Sequence, residues 1–469
     1  MIVELIGTVF SKVSNFLYSY ILLILLVGGS IYFTIKTRGV QFRLFGSAIK
    51  EMGEETGDSQ ISPLQSFMIS TASKLGTGNI VGVAVSIAAG GPGSVFWMVV
   101  MALFSGATSF VENTIGQIYK EKAPDGEYVG GPAQYIPKTL GKKFNWLGSI
   151  YAVLFIITFS FSFNPLASYN IGSSFAYYFP DFETSFMPYL IGGVLAILTG
   201  FVIFGGGKRI ADAAMRIVPT MSVIFMILTV LAVVLNIKRL PEVVSMVFSD
   251  AFNFKAIAGG FAGSCIVVGL KRGLYTHEAG MGSSPYAASA AQTSHPAKTG
   301  LVQLLSIFLD TVVLCTATAC LLLFSGVEVD PELTGMPYVQ AALEAMFGKP
   351  GVLFITILLF LFGFATLIGN YFYSEQNLKI LGCGQKGLQI FRVCQLLIIF
   401  VGPAMSFDLV WDMGDVFMGL LTVLNMFVIL AIGKVAYAAL RDYEKQKKAD
   451  LNPEFKESNI GLDNTECWK

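Results

Sequence analysis

The chain has 469 residues, 54% of them hydrophobic and only 13% charged, with 31 Lys and Arg against 31 Asp and Glu, and its mean hydropathy is +0.66. A soluble domain carries about 25% charged residues, so this composition excludes a soluble globular protein and predicts an all-α polytopic membrane protein. Zero net charge offers no basic surface for nucleic acid. Cys265, Cys315, Cys320 and Cys394 lie in apolar segments without a CxxC pair, which reads as packing thiols and not as a disulfide framework.

Apolar runs of spanning length lie near residues 16–36, 62–89, 94–118, 147–179, 187–206, 216–236, 254–270, 299–325, 351–376, 388–405 and 413–438, giving eleven expected helices. The N-terminus has no basic n-region and no A-x-A-like site, so Tyr18–Phe33 is expected as a retained helix. With the N-terminus outside, the inner loops collect most of the basic residues. These include Lys36, Arg38, Arg43, Lys120, Lys138, Lys208, Lys271, Arg272, Lys298, Lys379 and Lys434, whereas the outer segments hold only Lys12, Lys238, Arg239, Lys255 and Lys349. That asymmetry places the C-terminus in the cytoplasm. The charged segment from Arg441 to Lys469 is expected as a solvated, partly disordered tail.

The second span holds Ser70-Thr-Ala-Ser-Lys-Leu-Gly-Thr-Gly-Asn79. Glycine costs about 0.8–1 kcal/mol against alanine inside a helix, so Gly76 and Gly78, beside Thr77 and Asn79, predict an unwound stretch. In lipid such a stretch is tolerated only where it is buried in protein or lines a cavity, and broken helices of this kind form transporter sites. The N–H groups of Gly76–Asn79 suit a carboxylate. The carbonyls around Ala72 to Leu75 suit a small hard cation such as Na⁺. A second Gly-rich run, Gly259 to Gly269, is expected as the facing break, with Ser264 and nearby carbonyls toward an ammonium. Setting the first helix aside leaves five spans in 62–236 and five in 254–438, each set opening on a broken helix. Five is odd, so the halves enter from opposite sides as an inverted repeat. Residues 1–61 then form an N-terminal segment with one extra helix, and 439–469 a cytoplasmic tail.

Asp310 stands midway along the eighth span and Glu112 in the inner part of the third, and ionisable groups at such depth are by default functional. Asp310 is expected to counter a bound cation, to pair with Lys74 or to be a structural buried hydrogen-bonding carboxyl, and Glu112 to be structural. Asn164, Ser168, Asn170, Thr366 and Asn370 are polar groups able to line the same cavity or to bond between helices. His277-Glu-Ala-Gly-Met281 lacks the second His of HExxH, and neither GxSxG nor TVGYG occurs. A zinc protease, a serine hydrolase and a potassium channel are therefore disfavoured.

Gly76-Thr-Gly-Asn-Ile-Val-Gly-Val-Ala84, Ala88-Ala-Gly-Gly-Pro-Gly-Ser-Val-Phe-Trp-Met98 and Gly126-Glu-Tyr-Val-Gly-Gly-Pro-Ala-Gln-Tyr-Ile136 resemble the alanine/glycine:cation symporters, the sodium–alanine carriers. So do Gly269–Pro285, Phe308–Thr311, Cys315–Ala319 and Gly363–Thr366, so the likeness runs from about Ser62 to Glu375. It departs at His277, where the family's loop motif has Asn, and at Asn370, where an aromatic is usual. The resemblance implies a LeuT-type 5+5 inverted repeat preceded by one extra transmembrane helix. It also implies Na⁺-coupled symport of alanine or glycine in a cell membrane, with D-alanine conceivable. On that likeness the carboxylate would meet Gly76, Thr77, Gly78 and Asn79, and the ammonium would meet Gly263 and Ser264. Na⁺ would sit among Ala72, Leu75 and Thr366. A proton-coupled carrier using Asp310 or Glu112 is the alternative.

Overall fold

The computed structural model describes the chain apart from residues 1, 55–59, 124–125, 254–258, 261–262 and 331–332, and apart from the side chains of 2–6 and 8. The start of the expected seventh span, and part of the Gly259–Gly269 run, lie outside the described residues. Among those described, eight helices are long and apolar enough to cross a membrane: α1 (Val9–Lys36), α4 (Gly93–Ile118), α6 (Lys142–Ala176), α8 (Gly206–Leu235), α12 (Pro296–Ser325), α14 (Lys349–Ile380), α15 (Gln385–Ala404) and α16 (Phe407–Ile432). A ninth crossing is bent by 58° between Pro63–Lys74, here α2, and Thr77–Gly90, whose regular part is α3 (Val81–Gly90). At the two remaining expected spans the described helices are shorter than a crossing: α7 (Met187–Ile203), and α10 (Cys265–His277), which overlaps the expected 254–270 only at its end and is followed by α11 (Ser284–Ala290). The chain is a multi-pass membrane protein.

Shorter elements join them: α5 (Pro132–Leu140), α9 (Leu240–Ala251) and α13 (Met336–Phe347). Strands β1 (Glu121–Lys122) and β2 (Tyr128–Val129) pair antiparallel after α4. Large apolar side chains face outward, among them Ile24, Ile197 and Phe201 at 72%, 73% and 70% exposure. Lys74, Asn79, Glu112 and Asp310 are buried. Lipid accepts the first group, while the polar groups need partners that only the protein interior supplies.

The expectation of a solvated tail fails. Helix α17 (Lys434–Lys448) continues from α16. The segment after it folds back, so that Phe455, Thr465 and Trp468 are buried. Glu457 N donates to Trp468 O (2.7 Å), and the Glu457 carboxylate accepts from Thr465 N and Oγ1 (3.0 and 2.6 Å). Two aromatic residues within a polar sequence were enough to anchor it.

Candidate functional site at two broken helices

Helix α2 starts on a capping box: Gln65 N donates to Ser62 Oγ (3.1 Å) and Ser62 N to Gln65 Oε1 (3.0 Å), with Pro63 at the first helical position. It ends at Lys74, where Gly76 N turns back to Lys74 O (2.7 Å) instead of to Ala72 O. The Ala72 carbonyl is thereby released from the ladder. Thr366 Oγ1 of α14 stands 3.5 Å from it, and 3.2 Å from Phe362 O. A Cβ on Gly76 would fall on Thr366 Oγ1, so glycine is required where α2 approaches α14. Two oxygens sharing a hard cation at about 2.3–2.6 Å each lie about 3.3–3.7 Å apart at right angles, and Ala72 O with Thr366 Oγ1 fits that spacing.

The unwound residues are buried and gripped from several helices. Asn79 Nδ2 donates to Asp310 Oδ1 (2.5 Å) and to Asp310 O (3.0 Å), while Thr318 Oγ1 donates to Asn79 O (2.6 Å). Asp310 sits in a π-helical stretch of α12, Phe308–Cys315, a wide turn often found at functional sites. Asn170 Nδ2 donates to Thr77 Oγ1 (2.9 Å). Ser73 Oγ donates to Asn370 Oδ1 (2.6 Å), and Asn370 Nδ2 to Asn164 Oδ1 (2.9 Å). Thr366 and Asn170 thus meet the first break directly, and Asn370 and Asn164 form a chain behind it. Ser168 instead bonds Ile399 O (2.7 Å). Oδ1 of Asn79 and Oδ1 of Asn170 are buried without a hydrogen-bond partner, an arrangement that disfavours an empty hydrophobic role.

Lys74 does not pair directly with Asp310. Its ammonium donates to Ser306 Oγ (2.8 Å), and Glu278, Asp310 and Glu112 act on it at longer range. Glu112 accepts from Gly280 N (3.2 Å) and Asn425 Nδ2 (3.1 Å), tying α4 and α16 to the loop after α10.

The second break lies further along the chain than expected. Ser264 caps α10, accepting from Val267 N (3.4 Å), and Gly263 is exposed. From Ser264 the helix runs unbroken to His277, so at about 1.5 Å per residue Gly263 and Ser264 stand about 16 Å from Tyr275. It is Tyr275 and Thr276 that cover the first break: a Cβ on Gly78 would lie 2.7 Å from Tyr275 Cε1 and 3.6 Å from Thr276 Cγ2. The chain then unwinds over Glu278–Ser283, with Glu278, Gly280 and Gly282 at φ of 54°, 86° and 85°. His277 Nδ1 accepts from Ala279 N (3.0 Å) within this turn. The sequence signal was present in Glu278-Ala-Gly-Met-Gly-Ser283, a second GxG beside an acidic residue. It is masked by the more glycine-rich run upstream, which lies within the apolar stretch.

The far ends of both broken helices are fastened together. Ile61 bridges Ala291 in parallel register, Gln292 N donates to Ile61 O (2.9 Å), and Ser66 Oγ donates to Ala287 O (2.7 Å). Lys120 Nζ donates to Ala291 O (2.9 Å) and lies 4.2 Å from the Tyr128 ring. Burial lowers its pKa from 10.5 to about 7 against the opposing charge of Cys467 and Glu54. Burial acts to raise the Glu54 pKa, but bonds from Ser294, Thr293 and Lys298 outweigh it and hold the carboxyl below its usual range. A cavity of about 430 Å³ opens beside these ends, lined by Gln65, Tyr128, Lys208, Ala290 and Gln376.

Buried broken helices whose unwound residues are held by side chains from four others define a membrane carrier. The sodium:alanine symporter family matches residues 3–457. The chain is 41% identical to the amino-acid carrier protein AlsT of Bacillus subtilis, over 97% of this chain and 96% of that one. It is 36% identical to the sodium/proton-dependent alanine carrier protein of Bacillus sp. strain PS3, covering 88% and 95%. It is also 34% identical to the sodium/alanine symporter AgcS of Methanococcus maripaludis, covering 93% and 97%. The chain belongs to the sodium:alanine symporter family; it is an amino-acid symporter and not an enzyme.

Proposed function

We propose that this chain couples Na⁺ entry to uptake of a small neutral amino acid, alanine or glycine, by alternating access. The reading rests on the first break, where the released Ala72 carbonyl and Thr366 Oγ1, with Leu75 O next to them, supply oxygens for Na⁺ beside the N–H groups of Thr77–Asn79 for a carboxylate. The ammonium then belongs at the C-terminal end of α10, around Tyr275–His277, where the helix dipole favours a cation. Gly263 and Ser264 stand too far away to share it. Na⁺ moving inward gains about 2.3 kcal/mol per 100 mV, enough for one ion to drive substantial accumulation.

The architecture behind this is one extra helix followed by five-helix repeats over 62–236 and 254–438, a LeuT-type 5+5 arrangement. The breaks at Gly76–Asn79 and Glu278–Ser283 support it, since each interrupts the first helix of its half. The N-terminus lies outside the cell membrane and the C-terminus in the cytoplasm, by the distribution of Lys and Arg.

Labelled L-alanine uptake into proteoliposomes tests the reading, with an inward Na⁺ gradient against an equal K⁺ gradient. Uptake only with Na⁺ is expected, and equal uptake in both would remove sodium coupling. A proton-coupled cycle is the second reading, favoured by Asp310, whose carboxylate bonds Asn79 within the break. Uptake that persists without Na⁺ and collapses with a protonophore would select it.

A further inference from the structure

The folded segment after α17 reaches the connection from α11 into α12, the end of α4 and α5, beside the fastening at the inner ends of the broken helices. Ser294 Oγ donates to Pro453 O (2.9 Å), Phe455 N donates to Ser294 O (3.0 Å), and Lys298 Nζ donates to Asn452 Oδ1 (2.7 Å). Ser294 lies on the short connection from α11 into α12 and Lys298 in the first turn of α12, and Glu54 grips both from the α2 side. At its far end Trp468 Nε1 donates to Gln117 O in the last turn of α4 (2.9 Å). Lys120, which holds Ala291, lies 5.1 Å from the Trp468 ring. Asn464 Nδ2 donates to Lys138 O on α5 (3.1 Å), and Glu466 pairs with Lys138 (3.5 Å). The Phe455 and Trp468 rings meet edge to face at 5.5 Å, and Phe455 packs on His295 at 5.2 Å.

We propose that residues 449–469 form an autoinhibitory strap that ties the inner end of the second broken helix to α4 and α5, so that the carrier opens to the cytoplasm only when the strap lets go. The inference rests on the alternating-access reading above. The strap crosses from the α11–α12 connection to the end of α4 and on to α5, and closes on itself through Glu457 N to Trp468 O (2.7 Å). Separating any two of those elements must therefore break strap contacts.

The test uses the full chain, a chain ending at Lys448, and Trp468→Ala, all in proteoliposomes. Ala290→Cys, buried at the inner end of α11 beside the cavity, is placed in each, with the six native cysteines replaced. Labelling of that cysteine by a membrane-impermeant maleimide from the side holding the tail is followed with time, alongside alanine uptake. Both strap variants are expected to label at least about threefold faster, since the closed state loses its bias, and to turn over faster at saturating substrate. Equal labelling rates in all three proteins would overturn the strap, whatever the uptake. Absence of uptake in the full chain would overturn the symport reading while leaving the labelling comparison intact. Truncation carries a risk of misfolding, so Trp468→Ala, which keeps the whole chain, decides between slow labelling by a held gate and loss of structure.

Discussion

Replacing Thr366 by valine should strip the proposed sodium site of one oxygen while leaving the shape of α14 nearly unchanged. Thr366 Oγ1 stands 3.5 Å from Ala72 O and 3.2 Å from Phe362 O. The second of these is the ordinary bond of a helical threonine to the preceding turn. The first joins α14 to a carbonyl that Gly76 has abandoned. Losing the hydroxyl leaves that carbonyl buried without a partner, a cost of about 1–3 kcal/mol. If the lost interaction belongs to the sodium-bound state, it appears as an increase of about 5- to 150-fold in the half-saturating Na⁺ concentration for alanine uptake. Thr366→Ser keeps the oxygen and should stay within about threefold of the unaltered carrier. Gly76→Ala provides an independent arm, because its methyl would land on Thr366 and displace the same oxygen. The assay is labelled alanine uptake against Na⁺ concentration at constant ionic strength. A Thr366→Val carrier that is folded and retains the sodium dependence of the unaltered protein would refute the placement.

At the second break, Gly282→Ala forces a side chain onto φ 85° and onto Pro132 Cγ and Tyr151 OH, both 2.5 Å from the added Cβ. Overpacking and strain of that kind cost about 1–3 kcal/mol each, and the thermal midpoint in detergent should fall. Ser264→Ala, at the start of α10, should leave the alanine KM unchanged, since Ser264 only caps its own helix. The Glu54 carboxyl is held below its usual value of 4.5 by its hydrogen bonds. Its contribution is therefore present above pH 4.5 and lost as pH falls through the lower folded value, and Glu54→Gln should flatten that acid limb of the thermal midpoint. Lys120 has the opposite origin: exposed, it keeps its proton up to 10.5, but buried it holds it only to about 7. Between those values the released state binds more protons, so the closed inner end should strengthen with rising pH by up to about 1.4 kcal/mol per unit. Lys120→Met should abolish that slope in thermal-midpoint measurements.

Composition and hydropathy alone determined that this is a multi-pass helical membrane protein. Membrane insertion is governed by the length of an apolar run, which is local and additive along the chain. The first break was equally legible, because Gly76 and Gly78 lower helix propensity wherever they stand. The second was not. Gly259–Gly263 carries the same local signal as Glu278–Ser283, and only tertiary structure placed the end of α10, just before the second of them, over Gly78. Tyr275 and Thr276 pack there because α10 runs unbroken for thirteen residues, a length set by packing against α4 rather than by propensity. The tail shows the same limit. Its mean polarity predicts solvation, yet Phe455 and Trp468 find a ready-made surface formed by Gln117, Ser294 and His295. Those residues are far apart in sequence, and no pattern along the chain records that the fold brings them together.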